Sequence, residues 1–194
     1  MFSMKESVDT NKKFKICVSG ARETSSCGFD SLEIAETLGR EIASHDCVLT
    51  VGAVTGFPLW VAKGAKEEGG MTIGFSPAAN ESEHESVYRL GTNHLDMVVY
   101  TGFGLAGCDL LLLRSSDAVI FGCGRIGSIH EFTVAFQEKK PIGILQGSWD
   151  TDELLRDILA RDIERDHDTI VFDTDPRRLL EQVIHLVKKQ REKK

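Results

Sequence analysis

Short apolar runs alternate with helical periodicities along nearly the whole chain. Phe14–Ser19 (FKICVS), Cys47–Val51, Met71–Phe75, Met97–Thr101, Ala118–Phe121, Pro141–Leu145 and Thr169–Phe172 each read as a strand. Between them lie amphipathic stretches. Ser31–Ser44 places Leu32, Ala35, Leu38 and Ile42 at helical spacing, and Phe57–Glu68 tolerates Pro58 in its first turn. Leu105–Ser115 is a strongly apolar helix, hydrophobic nearly all round at Leu110–Leu113, and Ser128–Lys139 follows the fifth strand. Thr151–Asp162 has Thr151 as N-cap, with Leu154, Leu155, Ile158 and Leu159 facing inward. Asp175-Pro176 opens a final helix carrying Leu179, Leu180, Val183, Ile184 and Val187. Strands that are continuous apolar runs are covered on both faces. The pattern therefore predicts an α/β fold: a doubly wound, mostly parallel seven-stranded sheet with helices on both faces, Rossmann-like. The stretch 78–96, rich in Glu, Ser, His and Asn, is either a surface loop or a short helix.

Composition narrows the class without naming an activity. The 194 residues are 41% apolar and 27% charged, a balance that suits one globular domain with its own core. The expected division is a flexible tail at 1–13, a single Rossmann-like domain at 14–187 and a basic tail at 188–194. No apolar run approaches the length of a membrane span, and the polar N-terminus lacks the apolar core of a signal peptide. Five scattered cysteines (17, 27, 47, 108, 123) form no CxxC pair and suggest neither a zinc ribbon nor a disulfide framework, so a reducing cytoplasm is expected. Cys17 and Cys47 fall in apolar strands and read as core. The net charge is −7, but the first fifteen residues carry +2 and the last seven +4, leaving −13 between. Such a surface repels nucleic acid and anionic membrane, so neither is expected as a partner. An anionic ligand has to be held by a local site.

That site is sought where glycines follow strands, because open α/β sheets bind ligands beyond the carboxyl ends of their strands. Ser19-Gly20 follows the first strand, Gly52 and Gly56 the second, Gly102, Gly104 and Gly107 the fourth, and Gly122, Gly124 and Gly127 the fifth. The last loop is the most informative. Gly122-Cys123-Gly124-Arg125-Ile126-Gly127-Ser128 joins an apolar strand to an amphipathic helix, whose free N–H groups and dipole favour an anion. Ser128 adds a hydroxyl and Arg125 a guanidinium, and a phosphate is the natural occupant. Residues 122–127 also fit GxGxxG, but dinucleotide binding of the usual kind needs an acid ending the next strand. Here that strand ends in Gln146-Gly147. The expected ligand contacts are Ser19, Gly20, Gly52, Gly56, Gly104, Gly124, Arg125, Ile126, Gly127 and Ser128. Cys123, just before a helix start, is either a nucleophile beside His130 or a small turn residue. His84 and His94 lack metal-ligand spacing, and no metal site is expected. Arg114 and Asp117 read as an ion pair.

Several of these segments together resemble the Rossmann-like Lonely Guy superfamily, also labelled lysine decarboxylase-like. It includes cytokinin-activating nucleotide phosphoribohydrolases and molybdenum-cofactor carrier proteins. The segment Leu49–Pro77, carrying TVGAVTGFPLWVAKGAKEEGGMTIGFSP, is similar to the family's Gly-rich turn, helix, Gly-Gly and strand ending in Pro. Cys123 to Glu131 (CGRIGSIHE) is similar to its Pro-Gly-Gly-x-Gly-Thr-x-x-Glu motif, in which the carrier branch has Gly for Pro. The resemblance covers about residues 14–187. It implies a homo-oligomer, dimer or tetramer, that binds a phosphorylated nucleotide-like molecule or a molybdopterin-type ligand, with no further cofactor required. Such a protein is a carrier, a sensor or a weak hydrolase. As a hydrolase it is a nucleoside 5′-monophosphate phosphoribohydrolase with Glu131 as catalytic carboxylate, in the first helical turn, stabilising the positive charge that develops on the sugar. Two departures bear on this. The family's Arg-Asn after the fourth-loop glycines is Cys108-Asp109 here, and a thiol cannot replace a guanidinium. Arg125 stands where the motif has Gly. Both weaken hydrolysis more than binding.

Overall fold

The computed structural model describes residues 12–162 and 167–193. Seven strands form one sheet: β1 (Lys15–Ser19), β2 (Val48–Gly52), β3 (Met71–Ser76), β4 (Met97–Tyr100), β5 (Ala118–Phe121), β6 (Ile142–Leu145) and β7 (Ile170–Asp173). The helices between and after them are α1 (Ser31–Ser44), α2 (Phe57–Glu67), α3 (Glu81–Ser86), α4 (Gly104–Ser115), α5 (Ile126–Gln137), α6 (Thr151–Ala160) and α7 (Pro176–Glu192). All six strand pairings are parallel, in the order β4-β3-β2-β1-β5-β6-β7. The expected doubly wound sheet is therefore present, and wholly parallel among the described residues.

Successive side chains of a strand point to opposite faces, and β1 shows how this divides the core. Ile16 and Val18 pack with α1, α2 and α7, whereas Cys17 packs with α4, α5 and α6. Ile16, Leu38, Leu49, Leu112, Ile120 and Ile144 are essentially fully buried. Each such side chain contributes ~1.5–3 kcal/mol through the area removed from water.

The sheet order has one consequence for function. From β1 the chain winds outward to β4, and from β5 it winds outward to β7. β1 and β5 are neighbours, with Ser19 level with Phe121, so the β1–α1 and β5–α5 loops leave the same rim side by side toward opposite faces. This is the switch point, where a crevice opens.

Several local expectations are corrected. α5 starts two residues early, at Ile126, because Arg125 takes the extended N-cap conformation. Glu131 consequently lies in the second helical turn, not the first. Asp150, not Thr151, precedes α6, and the Thr151 hydroxyl is committed elsewhere. Leu154 is 43% exposed and does not face the core. Arg114 reaches Glu138, while Asp117 pairs with Lys15 and Arg191. The segment 78–96 contains the short helix α3, anchored by the buried His84, whose Nδ1 lies 2.8 Å from Ser76 Oγ. The basic segment after residue 187 continues α7 as far as Glu192, with Gln190 donating to the Lys139 carbonyl. Of the N-terminal segment 1–13, residues 1–11 lie outside the described residues.

α1 and α2 cross at glycine. A Cβ on Gly39 would sit 2.0 Å from the Val61 carbonyl oxygen, and one on Gly64 2.0 Å from that of Glu36. These are backbone atoms, which cannot rotate aside. Gly39→Ala is therefore expected to destabilise the fold by about 1–3 kcal/mol, read as a lower urea midpoint. An unchanged midpoint would contradict this packing.

Candidate functional site at the switch point

The crevice between the β1 and β5 loops is a cleft of about 690 Å³, within the size range of small-molecule sites. Its floor is Ser19, Gly20, Gly124 and Ser128; Arg22, Glu23, Ser26 and Arg125 stand at its mouth. Val54, Pro58, Leu105, Ile126 and Leu154 supply apolar wall, and Asp109 and Glu131 face the interior from α4 and α5.

The Gly-rich loop is tied down from outside. The Thr151 hydroxyl accepts from the Gly124 amide at 2.7 Å and lies 3.0 Å from its carbonyl. The Cys123 carbonyl accepts from the Ala21 amide at 2.7 Å. A Cβ on Gly124 would strike Ser128 at 2.5 Å, so glycine there lets the serine hydroxyl tuck beneath the loop. Gly20 and Gly122 have a different reason: a Cβ on either would strike the buried ring of Phe57, at 2.7 and 2.3 Å. At both positions glycine makes room for that ring, and Gly20 also lines the cleft.

Beyond the ties, the helix start is open. The first intrahelical bond of α5 runs from the Ile129 amide to the Arg125 carbonyl, and no side chain caps Arg125. Among the described residues, the amides of Ile126, Gly127 and Ser128 have no protein acceptor. A Cβ on Gly127 would meet nothing, and Ile126, Gly127 and Ser128 all line the cleft. Unpaired first-turn amides with the positive end of the helix dipole are suited to an anion.

Glu131 lies one turn deeper and is half-buried. Its Oε2 is hydrogen-bonded to Ser19 Oγ, which lies 3.2 Å from Ser128 Oγ. Burial, reinforced by the Asp109 carboxyl, pushes Glu131 up to about 8, against the hydrogen bond from Ser19. At neutral pH it holds its proton. Ser19 donates to Glu131 Oε2, so the carboxyl and the two serine hydroxyls form one hydrogen-bonded group at the cleft floor. Protonation of Glu131 removes a negative charge from that floor. Asp109 is also raised, by burial, with His130 and Arg22 opposing.

Cys108 faces the core from α4, and burial drives its thiol to about 11. The family's arginine position therefore offers the cleft no cation, whereas Arg22 and Arg125 line it. Cys123 is no nucleophile: it is bonded to Cys27. The sequence suggests no disulfide framework, and this one bridge is present; Cys17, Cys47 and Cys108 are free and buried. Of the expected contacts, Ser19, Gly20, Gly52, Gly124, Arg125, Ile126, Gly127, Ser128 and Glu131 come together here. Gly56 and Gly104 do not. Gly56 packs under the Ala21 carbonyl at φ 76°, and Gly104 turns back on the Pro77 carbonyl. Among the described residues no cluster of His, Cys, Asp and Glu is arranged to hold a metal, and no helix is long and apolar enough to cross a membrane.

The SLOG cluster4 family model matches residues 13–180. The chain belongs to this family. A protein of Archaeoglobus fulgidus of uncharacterised role is 31% identical over 135 residues, spanning 70% of this chain and 82% of its own. Among solved structures, the molybdenum cofactor binding protein of Rippkaea orientalis superposes with a TM-score of 0.69 at 27% identity, over 93% of this chain and 98% of that one. The molybdenum cofactor carrier protein of Chlamydomonas reinhardtii gives 0.71 at 26%, over 91% and 99%. The membership accords with the resemblance read from the motifs.

The raised Glu131 makes a signed prediction. The folded state binds this proton more tightly than the unfolded chain, so the stability it contributes is full below the ordinary value of 4.5 and is lost as pH rises to about 8. Glu131→Gln, which mimics the neutral acid, is expected to gain on the wild type in melting temperature between about pH 5 and about pH 8.5. Parallel melting curves for the two proteins would contradict the shift.

Proposed function

We propose that the chain is a cytoplasmic carrier or sensor that holds a phosphorylated, nucleotide-like small molecule, of nucleotide or molybdopterin type, by its phosphate. The observation that carries this reading is the set of unpaired amides at Ile126, Gly127 and Ser128 on the lining of the cleft. The phosphate sits on these donors, with the Ser128 hydroxyl below and the guanidiniums of Arg125 and Arg22 at the mouth. The ring system lies against Val54, Pro58, Leu105 and Leu154. The likeness to a molybdenum cofactor binding protein and a molybdenum cofactor carrier protein is consistent with a held cargo.

Hydrolysis of a nucleoside 5′-monophosphate is the second reading, and the nearness of Glu131 to the helix start favours it. It is the weaker one. A developing oxocarbenium ion needs an ionised carboxylate, and Glu131 keeps its proton up to about pH 8. The cation that the resembled hydrolases carry is replaced by the buried Cys108.

One substitution removes a proposed donor while leaving the helix intact. Ile126 is 81% exposed, opens α5 and follows an extended residue, the setting in which proline starts a helix. Ile126→Pro is expected to weaken adenosine 5′-monophosphate binding roughly ten- to hundredfold, the worth of a hydrogen bond to a charged group. Ile126→Ala, which keeps the amide, should bind as the wild type does. Calorimetry gives both values. Equal affinity for the two variants would remove the phosphate from this helix. Free adenine accumulating with the wild type but not with Glu131→Ala would favour the hydrolase.

The assembly reading follows from α4. Phe103, Leu110 and Leu111 form one exposed apolar stripe along it, while Leu105 of the same helix lines the cleft. A second copy of this chain is the occupant, in a self-complementary contact. Sedimentation should give a dimer or larger, and Leu110→Glu with Leu111→Glu a monomer. A monomeric wild type would refute this.

A further inference from the structure

We infer that the Cys27–Cys123 disulfide is a reversible latch on the ligand cleft, opened by a dithiol reductant. The inference rests on the binding reading above for its effect on ligand, but not for the latch itself. The bridge joins residues 96 apart in sequence, with Cα atoms 5.9 Å apart. It links the two loops that flank the switch point. Cys27 follows Ser26, and Cys123 precedes Gly124, and both of those neighbours line the cleft.

The remaining ties of the β1–α1 loop fall into two parts. Its start is fixed: Ala21 is bonded on both sides, to the Cys123 carbonyl and from the Phe57 amide, and the Arg22 carbonyl accepts from Thr55 Oγ1 at 3.1 Å. From Glu23 to Asp30, the hydrogen bonds among the described residues stay local. Ser25 donates to Glu23, Cys27 to the Thr24 carbonyl, and Ser31 and Ile34 to the carbonyls of Gly28 and Asp30. Asp30 makes no side-chain cap on α1, and Phe29 is fully exposed. Among the described residues, the bridge, the packing of Cys27 on the core and the close approach of Gly28 to Ser148 tie this half of the loop, with Glu23 and Ser26, to the rest of the fold.

The chemistry is ordinary exchange. Cys27 is the partly exposed sulfur and Cys123 the buried one. A thiolate of the dithiol attacks Cys27 Sγ, the protein S–S bond breaks, and Cys123 leaves as a thiolate just ahead of the α5 N-terminus, where the helix dipole favours it. The reductant's second thiol then displaces Cys27. Two electrons and two protons pass to the protein, and the dithiol becomes a disulfide. The opened loop no longer pre-organises the mouth, and affinity falls because ordering it must be repeated on binding.

The test uses the full chain, air-oxidised and then reduced with dithiothreitol, alongside Cys27→Ser. Alkylation of unfolded protein followed by mass spectrometry should find three reactive thiols before reduction and five after. Amide exchange at residues 23–30 should quicken at least about tenfold on reduction. The Kd for adenosine 5′-monophosphate should weaken by about tenfold in the reduced protein and in Cys27→Ser alike. Five thiols before reduction, or unchanged exchange at 23–30, overturns the latch. Faster exchange with equal affinity in both states overturns its hold on the ligand. Faster exchange with no binding of the nucleotide in either state upholds the latch and defeats the binding reading instead.

Discussion

Three backbone amides at the head of α5 are left without acceptors, and the surrounding structure keeps them that way. Thr151 from the next helix takes the amide of Gly124, and Ala21 and Cys27 from the first loop hold the carbonyl and the sulfur of Cys123. With the loop fixed on its outer side, it does not fold back over the helix start. The donors at Ile126, Gly127 and Ser128 are thus pre-organised, and binding an anion there requires little rearrangement of the chain. Everything proposed about function depends on that open helix end.

The electrostatics of the cleft run against those of the molecule. The body of the chain is strongly acidic, and its long-range field repels anions. The cleft offsets this over short distances, with the dipole and amides of α5, with Arg22 and Arg125 at the mouth, and with a carboxyl at the floor that stays neutral. The same burial that raises Glu131 thus keeps a negative charge away from the floor of the site.

The sheet was legible because parallel strands are buried on both faces and so appear as unbroken apolar runs. Every strand was placed to within a residue at either end. The site's location followed from the same logic, since the switch point lies wherever two adjacent strands wind in opposite senses. The reasons for individual residues were less legible. Gly20 and Gly122 follow strands as ligand-binding glycines do, yet their missing Cβ atoms make room for Phe57, a residue far away in sequence. Gly56 and Gly104 lie outside the cleft lining for a related reason: a strand-end glycine can turn its backbone toward neighbouring loops as readily as toward a cleft. The apolar wall from Leu105 and Leu154 was hidden, because an exposed leucine on a helix has the same spacing as a buried one. The disulfide had no signal in the sequence at all, because only the adjacency of β1 and β5 brings Cys27 to Cys123.

The account is tested most directly by observing the amides themselves. A nitrogen–proton correlation spectrum of the labelled protein, titrated with adenosine 5′-monophosphate, reports each backbone donor separately. The largest downfield proton shifts should fall on Ile126, Gly127 and Ser128 and should saturate together. If these three resonances stay in place while the nucleotide binds, or if no resonance moves at all, the helix start is not the anion seat.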